Sequence, residues 1–267
     1  MKKSLFAALS AALATPEIEK KRLLTVAIAT DWKAGEYLVD IPQQPQLYCG
    51  RPAQPELVAP GKVPQRNPQS PEGRARLLHA IAHIEFSAIN LALDHAARFA
   101  NMPHQYYADW IGVAAEEAGH FDILRQRLQS LGHDYGDFPA HAGLWEMAEK
   151  TAGDVLARMA LVPRLLEARG LDATPPIQRK LEEAGDHESA RLLDLILRDE
   201  VAHVGLGDAW FRRLCSERGQ HPENTFRQLL IDFKAPWPST PMNESARLAA
   251  GFTAEELASL RLGRPRK

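Results

Sequence analysis

The sequence contains few cysteines, no long apolar run and almost no excess of charge. Two cysteines among 267 residues are too few for a disulfide framework or a zinc cluster, and they favour a reducing, cytoplasmic compartment. No apolar run reaches the roughly 20 residues that a membrane span requires. A formal net charge of −2 argues against nucleic acid as a partner. No Gly-x-Gly-x-x-Gly segment follows a strand, so a flavin or nicotinamide fingerprint is also missing.

The first fourteen residues allow two interpretations. The start "MKKSLFAALSAALATP" has a basic end, an apolar run and an Ala-x-Ala, as a cleaved secretory signal does. The following "EIEKKRLLTVAIATDWKAG" continues with helical periodicity, which favours an amphipathic first helix. We therefore predict one or two helices over residues 4–34, with the signal peptide as the alternative.

Residues 41–71 contain eight of the nineteen prolines, a density that no helix tolerates. Leu47, Tyr48 and Leu57 make this segment too apolar for a disordered linker. We predict an extended strap packed on a core.

Helical periodicity dominates the rest of the chain, and strand signals are absent. Ser70 and Pro71 form a helix-start signal. The predicted helical segments are 71–101, 103–132, a third that ends at Gly170, and, after a short helix, a long one over 186–215. Short helices and proline turns follow. This pattern predicts an N-terminal part over 1–70, a helical bundle over 71–219 and a packed C-terminal tail over 220–267.

Two short segments, "AEEAGHFD" (115–122) and "RDEVAHVG" (198–205), carry the same Glu-x-x-His pattern. Residues three apart share one face of a helix, so Glu117 can converge with His120, and Glu200 with His203. A carboxylate beside an imidazole is a typical pair of metal ligands. Apolar residues flank both pairs, and a buried carboxylate needs a partner. A bound cation is the simplest one.

Two more acids extend the pattern. Glu85 precedes Glu117 by 32 residues, and Glu167 precedes Glu200 by 33. Both the Glu117–Glu200 and the His120–His203 separations are 83 residues. A helix pair that carries Glu and then Glu-x-x-His therefore occurs twice, which predicts one shared metal site.

This order of acids and histidines resembles that of the ferritin-like di-iron carboxylate proteins. The phrases "GRARLLHAIAHIEFSAINLALDHAARF", "EARGLD" and "RDEVAHVGLGDAWF" are similar to an uncharacterised bacterial ferritin-like family, a domain of unknown function. The similarity covers roughly residues 45–215. A tRNA hydroxylase that acts on an isopentenyl-adenosine derivative is more distantly similar. The resemblance implies an all-α, antiparallel ferritin-like four-helix bundle with these metal ligands: Glu85, Glu117, His120, Glu167, Glu200 and His203.

In such a bundle the second and third helices run parallel, so their connection must travel the length of the bundle. The available chain is long enough only if the third helix begins near Thr151–Asp154 and "GLWEMAEK" belongs to the connection. Pro163 should then kink the third helix and leave the Met159 carbonyl without its usual donor.

Four carboxylates and two neutral histidines suit two iron ions, with manganese as an alternative. Glu116 and Asp199 are predicted to hold the second ring nitrogens of the histidines, although Glu116 could equally be a solvated acid. His79 and His83 could form a further metal pair, but we favour polar or capping contacts. The candidate pocket residues, each of which could also be ordinary core, are Phe86, Phe121, Leu124 and Val204.

The function predicted from these features is an O₂-dependent oxidase or hydroxylase. It would need an external electron donor and an unidentified small-molecule or nucleoside-type substrate. The alternative is a ferroxidase or iron-handling protein without organic substrate, and a third hypothesis is a purely structural metal. The long N-terminal part and the tail favour an enzyme over a storage cage. The sequence leaves the oligomeric state open.

Overall fold

The computed structural model describes residues 2–40, 47–64, 66–238 and 241–263. Most of the described residues lie in helices, which confirms the all-α prediction. It forms two compact units, Met1–Ala142 and Gly143–Lys267.

The first unit contains helices α1 (Leu5–Ala14), α2 (Ile18–Lys33), α3 (Pro71–Arg98) and α4 (His104–Ser130). Helices α3 and α4 pack along each other, while α1 lies on α3 and α2 lies on α4. The predicted start of α3 is confirmed, since the Ser70 hydroxyl accepts a hydrogen bond from the Gly73 amide at 3.1 Å. Residues 5–14 form a helix whose apolar side chains are largely buried.

Two very short strands, β1 (Lys3–Ser4) and β2 (Tyr37–Leu38), pair in parallel. The expectation of no strand was therefore wrong in this detail. Two residues are too few to produce the period-two pattern by which strands are recognised in a sequence. The pairing joins the segment before α1 to the segment after α2.

The described part of the proline-rich strap has no α-helix before Pro71; it contains a 3₁₀ turn at Pro60–Lys62 and a further turn at residues 68–69. The Val58 amide donates to the Ala140 carbonyl at 2.8 Å, and the Ala140 amide donates to the Glu56 carbonyl at 2.9 Å. Pro42 and Pro45 lie outside the described residues. Main-chain hydrogen bonds thus join the strap to the irregular segment that follows α4.

Lys21 fastens three parts of the first unit together. Its side chain is fully buried. The ammonium group donates to the Leu13 carbonyl at 2.9 Å, to the Gly50 carbonyl at 2.8 Å and to Asn90 Oδ1. All three donors of the group are therefore used, which is the condition for burying a lysine.

The second unit contains α5 (Gly143–Lys150), α6 (Val155–Leu161), a π turn (Pro163–Glu167), α7 (Ala168–Glu183) and α8 (His187–Glu217). Helix α8 packs against α6, the π turn and α7. The tail forms α9 (Pro222–Asp232), α10 (Glu244–Ala249) and α11 (Ala254–Arg261). Asp154 caps α6 by accepting from the Leu156 amide at 3.1 Å, so the predicted helix start near 151–154 is confirmed.

The prediction that the third helical pattern ends at Gly170 was wrong. Helix α7 continues through Gly170 and contains Pro175 and Pro176. Proline has no N–H, so Pro175 leaves the Leu171 carbonyl without its helical donor. The Asn243 side-chain amide from the tail donates to that carbonyl instead, at 3.1 Å. A tertiary contact therefore satisfies the carbonyl that Pro175 leaves free.

Candidate metal centre

Helices α3 and α4 bring three of the predicted ligands together in the first unit. Glu85, Glu117 and His120 belong to a group whose ligand atoms all lie within 4.8 Å of one another. His120 Nδ1 lies 3.4 Å from Glu85 Oε2 and 3.5 Å from Glu117 Oε2. The three residues are 4%, 1% and 4% exposed. Two acids are thus buried against one imidazole, as the sequence pattern predicted.

The electrostatics of this cluster fit a cation. Burial, followed by the negative charge of Glu117, raises the pKa of Glu85. Burial lowers the pKa of His120, but hydrogen bonds with Glu117 and Glu85 outweigh burial and raise it. With Glu85 favouring its neutral form, a protonated His120 imidazole therefore offsets the negative charge of Glu117 when no metal is bound. Because carboxylate and imidazole are also the ligands that iron and manganese accept, a metal ion could replace that proton.

The second Glu-x-x-His pair lies on α8 in the second unit. His203 Nδ1 is 3.4 Å from Glu200 Oε1, and the side chains are 1% and 14% exposed. The i, i+3 spacing thus converges as predicted here too. Within this unit, as far as it is described, no three acidic, histidine or cysteine side chains converge as those around His120 do.

Glu167 occupies the last position of the π turn and is half-buried. The amides of Leu166 and Glu167 both donate to the Val162 carbonyl, at 2.9 and 3.2 Å. The kink predicted at Pro163 therefore takes the form of one widened turn. Such turns redirect the side chains that follow them, and they are frequent at functional sites.

The remaining predicted residues have different environments. Glu116 is exposed and Asp199 is half-buried, and their proposed contacts with the histidines stay a prediction. The four candidate pocket residues are all buried: Phe86, Phe121, Leu124 and Val204. The Phe86 and Phe121 rings lie 5.2 Å apart, each directly after a predicted ligand in the sequence.

Tyr135 is a residue that the sequence analysis missed. Its ring lies 5.4 Å from that of Phe86 and 5.0 Å from that of Phe121. Its hydroxyl lies 2.9 Å from His83 Nδ1, and His83 Nε2 lies 3.1 Å from the His141 carbonyl. His79 Nε2 accepts from the Gly136 amide at 2.9 Å. The two histidines therefore make the polar contacts that we favoured, with the segment after α4.

A buried ionic network in the second unit was missed as well. Arg164 is fully buried and pairs with Asp208 and Glu256, each at 2.6 Å. Arg212 pairs with the same two acids, at 2.7 and 2.6 Å. The signal that could have revealed it is the arginine within the apolar stretch "ALVPRLLE", since a charge on a buried face requires a partner.

The fold and the site define an all-helical protein with a buried cluster of carboxylates and histidine that could bind a metal ion. Residues 14–258 match the family described as "Protein of unknown function (DUF455)". The chain belongs to this family. An uncharacterized protein from Haemophilus influenzae is 48% identical over 213 residues, which cover 77% of this chain and 74% of that protein. No solved structure matches. Among the described helices, none combines the length and apolarity needed to cross a membrane.

Proposed function

We propose that the chain is a ferritin-like di-iron protein that oxidises an organic substrate with O₂. The observation that carries this proposal is the convergence of Glu85, Glu117 and His120 in the interior of the first unit. Burial of two carboxylates is unfavourable unless a cation offsets their charge. Such an arrangement is typical of a site built for a ligand rather than for stability.

The second set, Glu167, Glu200 and His203, would complete a site for two ions. The repeated register of the sequence supports this, because each half supplies one acid and one Glu-x-x-His pair. Four carboxylates balance the charge of two divalent ions. Manganese can use the same ligands, so iron is the proposed metal and manganese the alternative.

When bound, the metal pair would supply the activation of O₂, and the chain would control access to it. The rings of Phe86, Phe121 and Tyr135 pack against one another, and Phe86 and Phe121 directly follow the predicted ligands Glu85 and His120 in the sequence. They would exclude water from the reacting site and line the approach of an apolar or planar group. Electrons would come from an external donor, and the substrate would be a small molecule or a nucleoside-type compound.

The alternative is a ferroxidase that handles iron without an organic substrate. The same cluster would bind its iron. The buried face of α1 and the buried Glu256 of α11 favour the enzyme, because both extensions are integral to their units. The usual subunit of a storage cage is a four-helix chain without long extensions.

A titration with Fe²⁺, followed by exposure to O₂, tests the proposal. We expect wild-type chain to bind two iron ions and to stop there, with sustained O₂ uptake only when substrate and reductant are present. Uptake of many iron ions per chain would favour the storage alternative. Measured metal content is the primary observable.

Glu85→Gln and Glu72→Gln form a matched pair for this titration. Both change glutamate on α3, but Glu72 is exposed and Glu85 is buried in the cluster. Glu85→Gln should lose iron, while Glu72→Gln should retain both ions. Without metal, the free energy of unfolding of Glu85→Gln should lie within about 1 kcal/mol of that of wild type, because the raised pKa of Glu85 already favours a neutral side chain at this position. Unchanged iron content in Glu85→Gln would contradict the assignment.

A further inference from the structure

The π turn that carries Glu167 is held against α8 by an unusually close approach. A Cβ atom added at Gly207 would lie 2.6 Å from Pro163 Cβ and 3.2 Å from the Arg164 amide nitrogen. Only glycine therefore allows α8 to lie this near to the turn. Gly207 is four residues after His203, about one helical turn along the same helix. The contact consequently fixes the register of the π turn against the helix that carries Glu200 and His203.

Arg164 supplies a second hold on the same turn. Its guanidinium donates to Asp208 Oδ1 of α8 and to Glu256 Oε1 of α11. Asp208 directly follows Gly207 in the chain. The guanidinium group also lies 4.2 Å from the Phe226 ring centre and 4.3 Å from that of Phe252. An arginine paired with two acids and enclosed by rings has little freedom to move. The turn is thus fixed at its first two residues, Pro163 and Arg164.

We infer that Gly207 and Arg164 are positioning residues for Glu167. Neither would touch a metal ion. Each fixes the widened turn, and the turn sets where the Glu167 carboxylate is presented. A ligand of a di-metal site must be held to about 0.5 Å, so a displaced turn would weaken metal binding even in a folded chain. This inference rests on the proposed function, since it assumes that Glu167 is a ligand.

Gly207→Ala and Gly205→Ala form a matched pair that tests the inference. Both glycines lie inside α8, and both substitutions favour the helix to the same degree. A Cβ at Gly205 would meet its nearest atom, Ala250 Cα, at 3.8 Å, which is ordinary contact. A Cβ at Gly207 must displace Pro163. We expect Gly205→Ala to bind two iron ions with wild-type affinity, and Gly207→Ala to bind one of them at least tenfold more weakly.

The readouts are iron stoichiometry and affinity measured together with thermal unfolding of the metal-free chain. A purely structural role would lower the unfolding temperature of Gly207→Ala and leave iron binding intact in the folded chain. That result would overturn the inference.

Glu256→Gln and Glu255→Gln give a second test if Gly207→Ala does not fold. Both change a glutamate of α11, but Glu256 is buried and pairs with Arg164 of the π turn, whereas Glu255 is exposed. Glu256→Gln should weaken iron binding at least tenfold, whereas Glu255→Gln should not. Equal iron affinity in the two variants would overturn the inference. A wild-type chain that binds no iron would instead overturn the proposed function, and the inference with it.

Discussion

At the residue scale, the imidazole of His79 accepts a hydrogen bond from the Gly136 amide, so its Nε2 carries no proton. Burial, followed by the nearby His83, lowers the pKa of His79 to about 4. The histidine contributes to stability only in its neutral form. Its environment is therefore the opposite of that of His120, whose pKa is raised by two acids.

The stability of the chain should depend on pH through His79. In the unfolded chain a histidine has a pKa of about 6.5, so between pH 6.5 and 4 the unfolded state binds a proton that the folded state does not. The contribution of His79 to the free energy of unfolding is complete above pH 6.5. It is lost as the pH falls towards 4, by about 1.4 kcal/mol for each pH unit. Between pH 7 and pH 5, urea unfolding should show a smaller decrease in the free energy of unfolding for His79→Gln than for wild type. Equal losses would contradict the assignment.

Residue chemistry also explains which parts of the site could be predicted from the sequence. Glu117 and His120 share a face because helical spacing places them there, and neighbouring apolar residues indicate burial. Tyr135 could not be predicted, because it lies in an irregular segment between glycines where no periodicity relates it to Phe86. Its position depends on hydrogen bonds to histidines more than fifty residues away.

At the element scale, α7 depends on the tail. Asn243 donates to the Leu171 carbonyl, and its own side chain caps α10 by accepting from the Ala246 amide at 3.3 Å. Arg247 of α10 pairs with Asp172 of α7 at 2.6 Å. The helix with two internal prolines is thus stabilised by the element that follows it much later in the chain.

Asn243→Ala should destabilise the chain by about 1–3 kcal/mol, because it removes a helix cap and leaves the Leu171 carbonyl without its donor. Chemical denaturation followed by circular dichroism measures the change. Asn224→Ala, on an exposed position of α9, is the control and should stay within about 0.5 kcal/mol of wild type. A loss as small in Asn243→Ala as in the control would show that water satisfies the carbonyl.

Helix boundaries were predictable where a local signal sets them. Ser70 and Asp154 are capping residues, and their side chains accept the expected amide hydrogen bonds. Gly170 and Pro175 carry equally strong local signals for an end, yet α7 continues. Tertiary donors from the tail overrode those signals, and a local pattern contains no information about them.

At the scale of the whole molecule, charge is nearly balanced, with a sequence pI of about 6.6. Tight binding to nucleic acid depends largely on cationic side chains that neutralise phosphates. This bears on the choice between a free small molecule and a nucleoside within RNA as the substrate. Besides the net charge, the repeated spacing of the predicted metal ligands is a whole-chain property that can be read from the sequence, because it does not depend on any single helix boundary.

We therefore expect the chain not to retain transfer RNA in a filter-binding assay at about 150 mM salt, where a strongly basic protein still would. A lysozyme-like basic protein at the same concentration serves as the positive control. Retention of transfer RNA by this chain, with a steep salt dependence, would instead support a substrate carried on RNA.

The pairing of Arg164 with Glu256 spans 92 residues and has a consequence for synthesis on the ribosome. Domains generally begin to fold as they are made, at about 5–20 residues per second. Arg164 leaves the ribosome several seconds before Glu256 does. During that interval its charge has at first neither acidic partner and then, once Asp208 has emerged, only one of the two. The second unit can therefore complete its interior only after residue 256 has emerged. Nascent chains halted before that residue would present an incompletely neutralised arginine to chaperones and proteases.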